Sequence, residues 1–299
     1  MKRRTILGGM AAVALGTTRR AWAFASTPVP AGGWAHPEWL LEPADVLPLV
    51  DDLAVRIVAL TPADDFAAGH LPRAAHLDWP DLALTDSSDA TIGDWRAQVT
   101  MLLGMRGVRP ESRVVIYDGG TFYAPRLWWI LHVLGHEDMA ILNGGLPAWL
   151  EADGPVETGP TPVAAGSPPY AAEPDLSSLA TVRDVEVAVA DGSATLVDAR
   201  SAGEYTEGHI PGAVNIPFDQ NAVPDSGGRW KPPAELRVLY QEAGVRENRP
   251  VIAYCSSGVR SAVTWFTLSA LGYPDVRLYS ASFDEWSSDP SRPVESSPA

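Results

Sequence analysis

Cysteine is almost absent from this chain: Cys255 stands alone among 299 residues. An internal disulfide is therefore excluded, and an odd cysteine is either a liability or a working thiol. Basic residues are also scarce. Lys and Arg number 22 against 37 Asp and Glu, for a net charge of −15. That balance excludes a broad nucleic-acid footprint, which needs clustered Lys and Arg. Long apolar runs are missing beyond the N-terminus, so nothing after it is expected to insert stably in a membrane. Core-forming material, by contrast, is ample. Hydrophobic residues make up 46% and charged residues 20%, the composition of a chain that folds, and the length suffices for two domains of ordinary size.

Residues 1–23 read as an export signal. Lys2-Arg3-Arg4 is a charged start, Ile6 to Gly16 an apolar stretch, and Ala21-Trp22-Ala23 a small-x-small cleavage site. Arg3-Arg4, followed by Thr5-Ile6-Leu7, resembles the twin-arginine signal, which exports folded proteins. Arg19-Arg20, close to the proposed cut, is untypical. The alternative, a membrane-anchoring helix, would ask for a longer run. The expected location is periplasmic or otherwise exported, an oxidising compartment.

The chain repeats itself. Gly69-His70-Leu71-Pro72 returns as Gly208-His209-Ile210-Pro211, Leu134-Gly135-His136-Glu137-Asp138 as Leu271-Gly272-Tyr273-Pro274-Asp275, Val114-Val115-Ile116-Tyr117 as Val251-Ile252-Ala253-Tyr254, and Trp149 as Trp286. So long a period marks a duplicated domain rather than a solenoid unit. The expected domains are residues 33–152 and 178–287. Between them, residues 153–177 carry Pro155, Pro160, Pro162, Pro168, Pro169 and Pro174, a density that blocks helices and ladders and marks a linker. Residues 288–299, rich in Ser and Pro, are expected to form a flexible tail. In each half short β-rich runs alternate with helical stretches: Val55–Leu60, Val114–Tyr117 and Ala140–Leu142, then Thr195–Val197, Val251–Tyr254 and Val276–Tyr279. This predicts an α/β fold of two tandem domains, each a mainly parallel sheet flanked by helices. Ligands of such sheets bind outside the carboxyl ends of the strands.

Cys255 stands at such an end. The loop Ser256-Ser257-Gly258-Val259-Arg260-Ser261 follows, and Ala262–Leu268 reads as a buried helix ending near Gly272. A thiol between strand end and helix start faces unpaired backbone N–H groups and the positive end of the helix dipole. Both favour the thiolate, the nucleophilic form. The N–H groups of Ser256 through Ser261 can curl into an anion nest, with Gly258 permitting the turn. Ser256, Ser257 and Ser261 add hydroxyls. Arg260 adds a fixed charge, directed at an anionic substrate or at a carboxylate such as Asp198. Asp118 occupies the matching position in the first half, and Ala59 and Thr61 match Asp198 and Arg200. The reactive set therefore exists once.

Taken together these fragments resemble the tandem-domain rhodaneses, the thiosulfate and 3-mercaptopyruvate sulfurtransferases, over roughly residues 33–287. The carriers are Asp198-Ala199-Arg200, Glu204-Tyr205, Gly208-His209-Ile210-Pro211-Gly212-Ala213, Cys255–Arg260, Leu278-Tyr279 and Phe283-Asp284-Glu285-Trp286. The first half adds His76-Leu77-Asp78-Trp79, Tyr117-Asp118-Gly119-Gly120 and Leu142-Asn143-Gly144-Gly145-Leu146-Pro147-Ala148-Trp149. The resemblance implies an inactive first rhodanese-like domain and a catalytic second one. It implies that Cys255 takes sulfur from a small sulfur-containing anion as a persulfide and yields it to cyanide or a thiol, with no metal or organic cofactor. Asp198 and Arg200 would brace the loop, Asp198 as a loop-orienting acceptor.

Two departures bear on the donor. Glu204 stands where two-domain members carry an arginine that binds the anionic donor. Ser257 stands where thiosulfate enzymes carry lysine; mercaptopyruvate enzymes have serine there but lack an arginine at the position of Arg260. Thiosulfate is the favoured donor and 3-mercaptopyruvate the alternative. Two rivals remain: a non-catalytic sulfur-carrier or binding module, and a cysteine phosphatase or arsenate reductase, whose Cys-x5-Arg loop is one residue longer than the Cys-x4-Arg here. His132 and His136 are four apart, but Gly135 is expected to end their helix between them, so no metal site is assigned. His70 and His209 are read as structural residues of their turns.

Overall fold

The computed structural model describes residues 32–161 and 167–296; the proposed export signal lies outside them. Two five-stranded sheets are present. The first contains β1 (Leu40–Leu41), β2 (Val55–Leu60), β3 (Ala75–Leu77), β4 (Arg113–Asp118) and β5 (Met139–Leu142), in the order β1-β5-β4-β2-β3. The second contains β6 (Leu179–Ala180), β7 (Thr195–Asp198), β8 (Val214–Asn215), β9 (Val251–Tyr254) and β10 (Val276–Tyr279), in the order β6-β10-β9-β7-β8. Every pairing is parallel. Helices cover both faces of such a sheet, so its central strands are apolar throughout; all four residues of β9 are buried. The strand order reverses beside β4 and β9, opening the crevice at their carboxyl ends.

The halves share a core. The helix Val259–Leu271, which follows the Cys255 loop, packs against the helix Ala124–Val133 of the first half. Trp128 meets Trp265 at 5.5 Å and Phe266 at 5.4 Å between ring centroids, within one continuous apolar cluster. Burying each such ring stabilises the fold by about 2–3 kcal/mol. The first half is thus packed against the helix that follows the Cys255 loop. Among the described residues no helix is long and apolar enough to cross a membrane.

Two expectations need adjustment. The edge strands β1, β3, β6 and β8 have two or three residues each, too few to leave a periodic trace. The stretch after Ser288 is held rather than free as far as Ser296. Glu295 pairs its backbone with His209, just as Glu157 at the start of the linker pairs with His70. The Trp286 indole donates to Pro293 O at 2.9 Å, as Trp149 donates to Pro155 O at 2.8 Å. Each domain therefore closes on the same segment. Its trace is legible, since Pro155-Val156-Glu157 returns as Pro293-Val294-Glu295.

Candidate active site

Cys255 follows β9, its side chain 1% exposed. Two donors point at its sulfur: the Gly258 N–H at 3.1 Å and the Ser261 hydroxyl at 3.5 Å. Gly258 sits at φ +84°, and a Cβ there would lie 2.3 Å from Ser280 O. Both facts demand glycine. The nest is narrower than expected, because the Ser256 hydroxyl faces Arg260 and Glu204 instead of the sulfur.

The loop is fastened from behind by the segment after β10. Cys255 N–H donates to Ser282 Oγ at 3.1 Å, Phe283 N–H to Cys255 O at 3.0 Å, and Asp284 N–H to Ser256 O at 3.1 Å. Ser282 adopts φ 61°, an uncommon conformation for a residue with a Cβ, and its hydroxyl donates to Tyr279 O at 2.7 Å. Sequence reasoning did not single out Ser282, although Ala281-Ser282 directly precedes the Phe283–Trp286 fragment.

Arg260 does not reach Asp198. Its terminal nitrogens donate to Glu204 Oε2 at 2.7 Å and Oε1 at 2.8 Å, and to Ser256 Oγ at 2.8 Å. Glu204 is presented by the helix Ala202–Glu207, where it also forms a capping box with Ser201. Hydrogen bonds from Arg260, then those from Ser201, pull its carboxyl down to about 2 against the opposing effect of burial. A depressed carboxylate contributes stability that is complete above its ordinary 4.5 and is lost as pH falls toward about 2. Glu204 is more than a third exposed, so the pair is worth no more than about 1 kcal/mol. Its pairing with Glu204 in turn holds Arg260 as a cation.

Asp198 is fully buried and is occupied by Arg200. The Arg200 Nε lies 3.1 Å from both Asp198 oxygens, and a terminal nitrogen donates to Asp198 Oδ2 at 2.6 Å and to Gly208 O at 2.6 Å. Asp198 therefore orients no loop amide directly. The connection is indirect: the Arg200 guanidinium lies 4.0 Å from the centre of the Phe283 ring, and the Phe283 N–H bonds the Cys255 carbonyl. A cavity of ≈ 410 Å³ adjoins Arg260 and is also lined by Ser201, Phe218, Asp219 and Lys231. The Lys231 ammonium makes no ion pair among the described residues.

The first half shows what the same loop does with a carboxyl group, which burial pushes up against the opposing pull of the N–H bonds it accepts. Asp118 ends β4, and its carboxylate accepts N–H groups from Gly120 at 2.8 Å, Thr121 at 3.1 Å, Tyr123 at 2.6 Å and Ala124 at 2.8 Å. The cradle exists twice, filled once by a carboxylate and once by a sulfur. His70 and His209 are also equivalent. Each Nδ1 meets the carbonyl four residues back, at 2.9 and 2.8 Å, and each ring stacks on an aromatic, Phe66 or Tyr205. His132 and His136 part as expected. The helix ends at Val133; His132 stacks on Trp128, and His136 meets the Tyr170 hydroxyl at 3.1 Å.

A single thiol at a parallel-strand end, met by a peptide N–H and a hydroxyl and backed by a second copy of its own domain, is the arrangement of a group-transfer enzyme. The rhodanese-like domain matches residues 42–152 and again 181–289, and the chain belongs to that family. It is 32% identical to a thiosulfate sulfurtransferase of Pseudomonas aeruginosa, over 86% of this chain and 96% of that one. It is 31% identical to the sulfur carrier protein TtuD of Thermus thermophilus, over 85% and 95%. The crystal structure of SseA from Escherichia coli, a 3-mercaptopyruvate sulfotransferase, superposes with a TM-score of 0.72 at 28% identity, covering 83% of this chain and 99% of that one. The protein is a sulfurtransferase.

Proposed function

We propose that the chain moves a sulfane sulfur from thiosulfate to cyanide or a thiol through a persulfide on Cys255. The observation that carries this is the Cys255 sulfur held under the Gly258 N–H and the Ser261 hydroxyl. In the first step the thiolate attacks the outer sulfur of thiosulfate; a new S–S bond forms, the donor's S–S bond breaks, and sulfite leaves with the electron pair. In the second, cyanide attacks the terminal sulfur, thiocyanate departs, and the thiolate returns. No net oxidation or reduction is required, and the two half-reactions replace one difficult transfer. Ser256, Ser257 and Arg260 are the part of the loop that a donor can reach, Gly258, Val259 and Ser261 are buried behind them around the sulfur, and Asp198 and Arg200 hold the loop through Phe283.

The donor preference rests on charge. Glu204 occupies the place of a donor-binding arginine and engages the Arg260 fork, so among the described residues of the loop no free guanidinium is left to grip a planar carboxylate in two places. Lys231, which makes no ion pair among the described residues, lines the adjoining cavity together with Asp219 and suits a small anion. Glu204→Gln should free Arg260 and lower the KM for thiosulfate roughly fivefold, the equivalent of about 1 kcal/mol, with kcat little changed; steady-state kinetics check this, and an unchanged or raised KM refutes it. Exposure to thiosulfate should add one sulfur atom to the intact chain, and Cys255→Ser should add none. Gain of sulfur from 3-mercaptopyruvate alone would transfer the assignment to that donor.

A carrier reading draws support from the resemblance to TtuD. Repeated thiocyanate release distinguishes a catalyst from a carrier, which loads one sulfur per chain and stops. Export by the proposed signal belongs to the same reading: with no second cysteine in the chain, the working thiol cannot be lost to an internal disulfide.

A further inference from the structure

The most deeply buried cation near the catalytic loop belongs to the other half of the molecule. Arg126 lies on the helix Ala124–Val133 and is 1% exposed. One terminal nitrogen donates to Ser280 Oγ at 2.8 Å, the other to Leu82 O at 3.0 Å, and the guanidinium lies 5.1 Å from the Trp129 ring centre. These partners are neutral, and among the described residues no carboxylate lies within ion-pair distance of it. A buried cation without a counter-charge costs several kcal/mol, so its surroundings call for an anion.

Its hydrogen-bond partner leads to one. Ser280 follows β10 directly and is fully buried. Its carbonyl packs so closely against Gly258 that a Cβ there would lie 2.3 Å away. Gly258 is the residue whose N–H meets the Cys255 sulfur. Burial lowers the Arg126 guanidinium to about 10, and a negative Cys255 acts in the opposite direction.

The other charged groups around the loop are already matched. Arg260, on the helix that Cys255 precedes, is paired with Glu204 and shares its remaining field with Cys255. Asp198, at the end of β7, is paired with Arg200. Asp284, behind the loop, lies in the fields of Arg200 and Arg260, and its burial pushes its carboxyl up. Glu285 accepts from the Ser87 N–H and hydroxyl of the first half.

We propose that Arg126, supplied by the half that has no nucleophile, is a positioning residue for the Cys255 sulfur. It fixes Ser280, and through Ser280 the Gly258 turn, and it provides the buried positive charge that the thiolate and persulfide face. The inference rests on the reading of Cys255 as the sulfur acceptor. It also gives the inactive domain a part in the chemistry of the other: a catalytic half expressed alone would lack this charge.

The test uses the full chain and reads the rate of Cys255 alkylation by iodoacetamide as a function of pH, beside kcat/KM for thiosulfate. In Arg126→Met the alkylation midpoint should rise by about one pH unit, a roughly tenfold slower reaction on the acid side, and kcat/KM should fall with it. Arg126→Lys should stay within about threefold of the parent, because the charge is kept. Ser280→Ala should shift the midpoint in the same direction by less. A folded Arg126→Met chain with the parental midpoint overturns the proposal. If Arg126→Met does not fold, an unchanged midpoint in Ser280→Ala overturns it instead. Failure of the parent to gain sulfur would refute the sulfurtransfer assignment to Cys255 and leave the alkylation comparison intact, so the two claims fail separately.

Discussion

Replacing Cys255 by serine should reduce turnover by more than about 10³-fold while leaving the fold in place. A hydroxyl cannot form the sulfur–sulfur bond on which both half-reactions depend, and no second thiol exists in the chain to stand in. The fold should persist because serine is nearly isosteric and keeps the local hydrogen bonding. Its oxygen can still accept from the Gly258 N–H and the Ser261 hydroxyl, and the residue's own N–H and carbonyl remain tied to Ser282 and Phe283. The stability change should stay within about 1 kcal/mol. Thiocyanate release and thermal melting measured on the same preparation check both halves of the expectation. Full activity in the serine variant would remove Cys255 from the mechanism. Lost activity with lost folding would be uninformative for serine, but a Cys255→Ala variant then decides, since it removes the sulfur without introducing a hydroxyl.

Much of the architecture could be read from the chain because the strong signals are local. β2, β4, β5, β7, β9 and β10 are apolar runs bounded by breakers, and a strand buried on both faces must look that way. The position of Cys255 followed from the same rule, since a strand end followed by glycine and a buried helix leaves few alternatives. The partners of charged side chains were less legible. Arg260 was expected to aim at substrate or Asp198, yet it closes on Glu204. The choice is set by where the starts of two helices, Ala202–Glu207 and Val259–Leu271, converge in space. Glu204 reads from the sequence as part of a family fragment and as a departure from its donor-binding arginine, and its capping-box relation to Ser201 places it at a helix start. Arg126 left no sequence signal as a site residue. Its neighbours Leu127-Trp128-Trp129 read as core, and only the packing of the two halves brings its guanidinium beside Ser280. The segment closing each domain was legible in Pro-Val-Glu, but proline density led to the opposite inference of a free tail.

Asp118→Ala should cost about 3–5 kcal/mol of stability and yet leave the chemistry of each folded molecule unchanged. The carboxylate is the shared acceptor for four backbone N–H groups at 2.6–3.1 Å, and it is nearly inaccessible. Alanine would leave those donors facing an apolar methyl. Asparagine should lose about half as much, since one oxygen still accepts while its amide nitrogen confronts two N–H groups. Urea unfolding separates the three chains, and thiocyanate release normalised to folded protein reads the chemistry. A folded Asp118→Ala chain that has lost turnover would show that the cradle, which holds the Ala124 N–H at the start of the Arg126 helix, takes part in positioning the active half. Stability within about 1 kcal/mol of the parent would show that the cradle does not depend on its anion. The expected result carries a consequence for the active half: if amides arranged this way hold a carboxylate so firmly that its loss weakens the domain, the equivalent loop at Cys255 is suited to hold a sulfur anion. The narrower set of donors at the sulfur, Gly258 N–H and the Ser261 hydroxyl, then has a reason. The first-half cradle holds its carboxyl permanently, whereas the one at Cys255, on the proposed cycle, would bind a thiolate and a persulfide in turn and release the sulfur it has taken.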